Sequence, residues 1–171
     1  MKNKMIHLDQ TDMPESWFNP LPVFEEPLDP PLNPKTKEPM KPEELKEIFP
    51  EGSIDLEVSR EREIDIPEEV RDIYRIWRPT PLIRASNLER ELNTPARIFF
   101  KYEGASPPGS HKPNTALPQT YYAKQEGLEV LTTETGAGQH GTAMSYTTTK
   151  IGIDAKVFMV RVGYEEKVSR K

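Results

Sequence analysis

Proline is the strongest constraint on this chain. Ten of its 18 prolines precede residue 51, from Pro14 to Pro50 through Pro20, Pro22, Pro27, Pro30, Pro31 and Pro34. Each one fixes φ and removes a backbone donor, so this stretch cannot be a central strand or a long helix. It nevertheless carries Trp17, Phe18, Leu21, Val23 and Phe24. A solvated linker rarely holds such an apolar cluster, so the expectation is an extended arm packed on a folded body. A short helix over residues 42–49 has acidic residues in its first turn and is closed by Pro50 and Gly52. The arm is taken as residues 1–65 and the body as residues 66–171.

The body opens with helical spacing. Pro67 suits a helix start, and Val70, Ile73, Tyr74 and Trp77 share one face. Arg78-Pro79-Thr80-Pro81 breaks the pattern. Ser86 is placed to cap a helix over residues 88–92, with Asn93 near its end. From Arg97 the rhythm changes. Residues 97–103 (RIFFKYE), 129–133 (EVLTT) and 156–162 (KVFMVRV) read as strands. Helices are expected over 113–125, with Pro118 kinking the first, and over 139–150, where Thr142 and Thr147 to Thr149 are poor helix formers. Strand, loop, helix repeated in this order is the pattern of a parallel α/β sheet with crossovers. Ligands bind beyond the carboxyl ends of such strands. Two loops sit there, residues 104–112 and 134–141. If their strands are neighbours ~4.8 Å apart, the loops share one crevice.

Composition removes several function classes. There is no cysteine, hence no disulfide framework, thiolate metal site or thiol nucleophile. A net charge of −5 argues against a nucleic-acid surface. No apolar run approaches the ~18 residues of a membrane span, and residues 1–10 lack the apolar centre of a signal peptide. A cytoplasmic protein is the expectation. The acidic stretch over 57–72 reads as a solvated face. His111, His140 and Glu134 follow no metal-ligand spacing, so no metal is expected.

Glu134-Thr135-Gly136-Ala137-Gly138-Gln139-His140-Gly141 is the sharpest chemical signal. Its glycines allow a tight turn and close backbone approach. The helix behind it adds free N–H groups and the positive end of a dipole, a cradle for a small anion such as a carboxylate. Gly136, Gly138 and Gly141 match G-x-G-x-x-G, but no acidic residue clearly ends the next strand, so the dinucleotide reading is weak. In residues 104–115, Ser110 and His111 stand where a phosphate loop of the Walker type needs Lys and Ser or Thr. Lys112 instead precedes a helix start. That position and partial burial disfavour a cationic ammonium and favour the neutral amine that attacks an aldehyde.

The segment Gly109-Ser110-His111-Lys112-Pro113-Asn114-Thr115-Ala116 resembles the pyridoxal-phosphate lysine segment of tryptophan synthase β chains, and residues 134–141 resemble their substrate loop. Arg78-Pro79-Thr80-Pro81-Leu82 matches as well. The proline-rich arm and Tyr74-Arg75-Ile76-Trp77 resemble the longer, second form of that chain, although His140 stands where that form usually carries tryptophan. The resemblance implies a fold type II pyridoxal 5'-phosphate enzyme, α/β with a three-layer parallel sheet, of which this chain is an N-terminal part. It implies that Lys112 holds the cofactor and carries protons. His111 would lie by the cofactor phosphate, with Asn114 and Gln139 in supporting contact. Glu134 would be the acid/base residue. Thr135, Gly136, Ala137, Gly138, Gln139 and His140 would bind the amino-acid carboxylate. The implied reaction joins L-serine and indole into L-tryptophan and water. A homodimer and a weak α-subunit contact are implied for the complete protein. Because the family's phosphate-binding loop lies in a later segment, this chain alone is expected to bind cofactor poorly and to be inactive. Threonine synthase, serine dehydratase or cysteine synthase activity, or one half of a split enzyme, are the alternatives. Those relatives usually begin the loop with a hydroxyl residue, whereas this chain has Glu134.

Overall fold

A computed structural model describes residues 5–26 and 28–166. The outermost parts of both expected domains, residues 1–4 and 167–171, and Pro27 of the arm lie outside the described residues.

The arm contributes only two- and three-residue strands, as its prolines dictate. β1 (Met5–Ile6) and β2 (Ser16–Phe18) precede two short helices, α1 (Pro42–Lys46) and α2 (Glu51–Val58). The expected helix over 42–49 is thus shorter, and Pro50 opens a second one instead of ending the helical region. A proline is tolerated at a helix start, where its missing N–H has no partner to lose. β3 (Glu63–Asp65) pairs antiparallel with β2, setting Trp17 opposite Ile64. Asn19 clips the chain beside this pair. Its amide donates to the Ser59 and Glu61 carbonyls at 2.8 and 2.9 Å and its oxygen accepts from Leu21 N–H.

α3 (Glu68–Tyr74) starts just after Pro67, and Trp77 lies beyond its end. β4 (Leu82–Arg84), α4 (Ser86–Glu91) and β5 (Phe99–Lys101) follow. Ser86 is the first helical residue; Ala85 occupies the cap. β4 takes β1 on one side and β5 on the other, both antiparallel. The first expected strand therefore lies in a separate antiparallel sheet, not beside the second. The apolar run at Leu82–Arg84 supplies its ladder partner from much nearer in sequence. A strand parallel to β5 would need a long crossover.

α5 (Pro113–Gln125), β6 (Val130–Thr135), α6 (Gln139–Ile151) and β7 (Asp154–Met159) form a βαβ unit preceded by a helix, and α7 (Arg161–Glu166) follows. β6 and β7 are parallel, from Val130 opposite Asp154 to Thr135 opposite Met159. The last expected strand ends early. Residues 161 and 162 belong to α7, where Arg161 faces Glu165 one turn on at 3.9 Å. α6 forms in spite of its threonines, whose hydroxyls fold back on its own backbone. Thr148 and Thr149 donate to the Ser145 carbonyl at 3.1 and 2.8 Å.

The core sits where α3, α5 and α6 meet. Ile66, Val70, Tyr74, Trp77, Leu117 and Ile151 are buried together, with Met13 and Trp17 of the arm against them. A second cluster joins Ala116 to Ala143 and Met144, over Leu131 of β6. Small residues here let the two helices approach closely. Their relative direction follows from two bonds. Thr120 and Thr147 have hydroxyls 2.9 Å apart, and Lys124 Nζ donates to the Ile151 carbonyl at 2.5 Å. Both pairs are 27 residues apart in sequence. A constant offset means that the helices run parallel, so their N-termini share one end.

Candidate active site

Continuing that offset two turns back sets Lys112 level with Gln139. The lysine segment and the glycine turn therefore gather at the same end of the helix pair. The shared location expected from neighbouring strands arises from neighbouring helices instead. Two positive helix ends also converge there.

The loop before Lys112 is tightly tied. Buried Ser106 donates from Oγ to the Ser110 carbonyl at 2.5 Å and accepts Ser110 N–H at 3.0 Å. Gly109 closes this turn at φ +70°, a left-handed conformation that a side chain would strain. Lys112 itself is half-buried, immediately before the first helical residue Pro113, and His111 is exposed.

Along β6 the side chains alternate, as the strand period requires. Leu131, Thr133 and Thr135 face the helices, while Thr132 and Glu134 leave the open face and are exposed. Thr135 is 4% exposed and lies beneath the first turn of α6. A Cβ on Gly141 would come 2.6 Å from Val157 Cγ1 and 3.0 Å from Thr135 Cγ2. Gly141 is thus the glycine that seats α6 on the sheet. Gly138 caps α6 at φ +90°, and around Gly136 the space for a Cβ is open. Gly136, Ala137 and Gln139 are exposed. The first helix-closing bond, Thr142 N–H to the Gly138 carbonyl at 2.9 Å, starts beyond the first amides of α6, leaving them directed at the turn's mouth.

His140 links the two segments electrostatically. Partial burial and the Lys112 charge hold its imidazole below the ordinary range, and the Glu134 charge acts in the opposite sense. The amine and the carboxylate are therefore each within charge reach of the imidazole.

Asn114 is placed differently from a free ligand contact. Its side-chain oxygen accepts from Trp77 Nε1 at 3.0 Å, and its amide donates to Glu103 Oε2 at 2.8 Å. The other Glu103 oxygen accepts from the Thr80 hydroxyl at 2.7 Å. The Asn114 backbone carbonyl accepts from Tyr74 Oη at 2.5 Å. Burial pushes the Tyr74 phenol up to about 12, the neighbouring Arg78 charge opposing, so the hydroxyl remains a donor at neutral pH. This network was not anticipated from sequence. Pro118 was the available signal, since a mid-helix proline leaves the carbonyl four residues before it without its usual donor.

Residues 73–170 match the family of pyridoxal-phosphate dependent enzymes, and the chain belongs to that family. Among individual relatives, it is 57% identical over 164 residues to tryptophan synthase beta chain 2 of Aquifex aeolicus, covering 96% of this chain and 38% of that protein. It is 55% identical over 167 residues to the Thermotoga maritima protein of the same name, covering 98% and 40%. Against that of Methanosarcina acetivorans it is 51% identical over 171 residues, covering 100% and 39%. The chain thus spans about two fifths of the length of these relatives. Its residues fit a cofactor carrying an aldehyde and an anionic group. A half-buried primary amine stands at a helix start, with an imidazole beside it and an anion-compatible turn opposite. Among the described residues, no helix is long and apolar enough to cross a membrane.

Proposed function

We propose that a complete protein of the relatives' length replaces the hydroxyl of L-serine with indole, giving L-tryptophan and water. The observation that carries this reading is the parallel α5–α6 pair. It brings Lys112 and the turn from Glu134 to Gly141 to one end, with His140 under the influence of both charges. Pyridoxal 5'-phosphate, when bound, supplies the electron sink that lets an amino acid lose its α-proton. Lys112 holds the cofactor and moves that proton at Nζ. His111 stands by the phosphate, with Asn114 and Gln139 in support. The substrate carboxylate sits on the turn, against Thr135, Gly136, Ala137, Gly138, Gln139 and His140. Because the Thr135 side chain is buried under α6, its contribution comes through the backbone. Glu134, exposed on the open face of β6, protonates the departing hydroxyl and receives the indole proton.

The same reading takes β6 and β7 as the start of a larger parallel sheet with helices on both faces, since a two-stranded ladder with an open face is incomplete. It divides the chain into an arm over 1–65 and a body over 66–171, and places a dimeric enzyme with a weak α-subunit contact in the cytoplasm. The test is Glu134→Ala in the full-length protein. Indole coupling is expected to vanish while the absorbance of lysine-bound cofactor persists. Unchanged tryptophan formation refutes the assignment.

A further inference from the structure

Pro118 lies inside α5 and has no N–H to give the Asn114 carbonyl. The helix nevertheless runs unbroken from Pro113 to Gln125. The vacant acceptor is filled from outside, by the hydroxyl of Tyr74, which is 1% exposed. The side chain of the same asparagine is gripped by Trp77 on one end and Glu103 on the other. The second residue after Lys112 is thus held at three points by groups from outside its helix. Trp77 does more than donate. Its ring meets Tyr74 edge-on at 5.6 Å and Tyr146 of α6 at 6.0 Å, so one indole touches the first turn of the lysine helix and the flank of the other helix.

We propose that Tyr74 and Trp77 are positioning residues for Lys112: by clamping Asn114 they set the rotation of the first turn of α5, and through Tyr146 the Trp77 ring keys it to α6. Neither touches the reacting atoms in this arrangement; each acts through Asn114. The proposal rests on the reading of Lys112 as the cofactor-bearing amine. Proline at position 118 is part of the device, because it frees the carbonyl that Tyr74 holds.

The test uses the full-length protein with Trp77→Phe, which keeps a ring but removes the N–H donor, and Tyr74→Phe, which removes only the hydroxyl. In cofactor-free protein, backbone hydrogen exchange at residues 114–117 is expected to speed up roughly tenfold in each variant, the loss of about one buried hydrogen bond. Exchange along β7, which Trp77 does not touch, should stay as it was. With cofactor, the pH midpoint of the lysine-bound absorbance should shift, and kcat should fall with little change in KM for serine. Loss of structure in Tyr74→Phe leaves Trp77→Phe to decide. Unchanged exchange and an unchanged midpoint in Trp77→Phe overturn the proposal. Borohydride reduction followed by peptide mapping separates the two ideas. Cofactor attached elsewhere than Lys112 overturns the functional reading, while the exchange result in cofactor-free protein still decides the clamp.

Discussion

Replacing Gly141 with alanine sets two effects of known size against each other. Alanine is favoured over glycine in a helix interior by about 1 kcal/mol, and by less in the first turn, where Gly141 sits. Against this, the new methyl would lie 2.6 Å from Val157 Cγ1 and 3.0 Å from Thr135 Cγ2. Both neighbours are β-branched residues with stiff χ1 angles, so neither swings away cheaply. Overpacking of this kind costs roughly 1–3 kcal/mol. The clash should win, leaving a net loss of about 1–2 kcal/mol. The measurement is the urea midpoint of the full-length protein carrying Gly141→Ala, Val157→Ala or both. Val157→Ala removes the nearer obstacle, so the double variant should recover much of the loss, with a coupling of about 1 kcal/mol. L-serine binding should weaken in the single variant and recover in the double, because the turn proposed to hold the carboxylate rides on the same contact. A stabilised Gly141→Ala, or additive effects in the double variant, would refute the reasoning.

The arm offers a parallel case: a Cβ on Gly52 would come 2.3 Å from Tyr122 Cδ1, and Gly52 N–H donates to Glu126 at 3.2 Å. Gly52→Ala should lift α2 from α5 at a cost of roughly 1–3 kcal/mol and speed proteolysis of the arm, with Tyr122→Ala restoring tolerance. Histidine NMR should find His140 titrating below its ordinary value of about 6.5. Lys112→Met should raise that midpoint and Glu134→Gln lower it; no response to either would separate the three groups. The sign for stability follows. The folded state favours neutral His140, so its contribution is present above about pH 6.5 and fades as pH falls through the lowered value.

Much of the body was legible because its signals are local. The helix beginning at Pro113 and the turn around Gly138 are set by proline's fixed φ and by glycine's access to left-handed backbone. What escaped was pairing. Phe99–Lys101 reads as a strand, but nothing within it says that Leu82–Arg84 will reach it first and turn the ladder antiparallel. α7 escaped because Val160 and Val162 favour a strand by composition, whereas Gly163 packs its backbone against the Gly136 carbonyl. The residues of the candidate site stand out in the sequence by type and spacing. Their gathering at one end was expected from neighbouring strands; the parallel setting of α5 and α6 that produces it depends on side chains midway along them, which no local pattern reveals.

The two threonine hydroxyls at positions 120 and 147 have a reach beyond their own contact. Both are fully buried, and sliding one helix along the other by a single turn, about 5.4 Å, would part them and leave each only its bond to its own helix, at the Ala116 and Met144 carbonyls. Such a slip would also carry the amine at 112 past the turn it must face. A polar pin halfway down the helix pair thereby acts as a ruler for the candidate site at its tip, and a change there would shift that site's register without altering any of its own side chains.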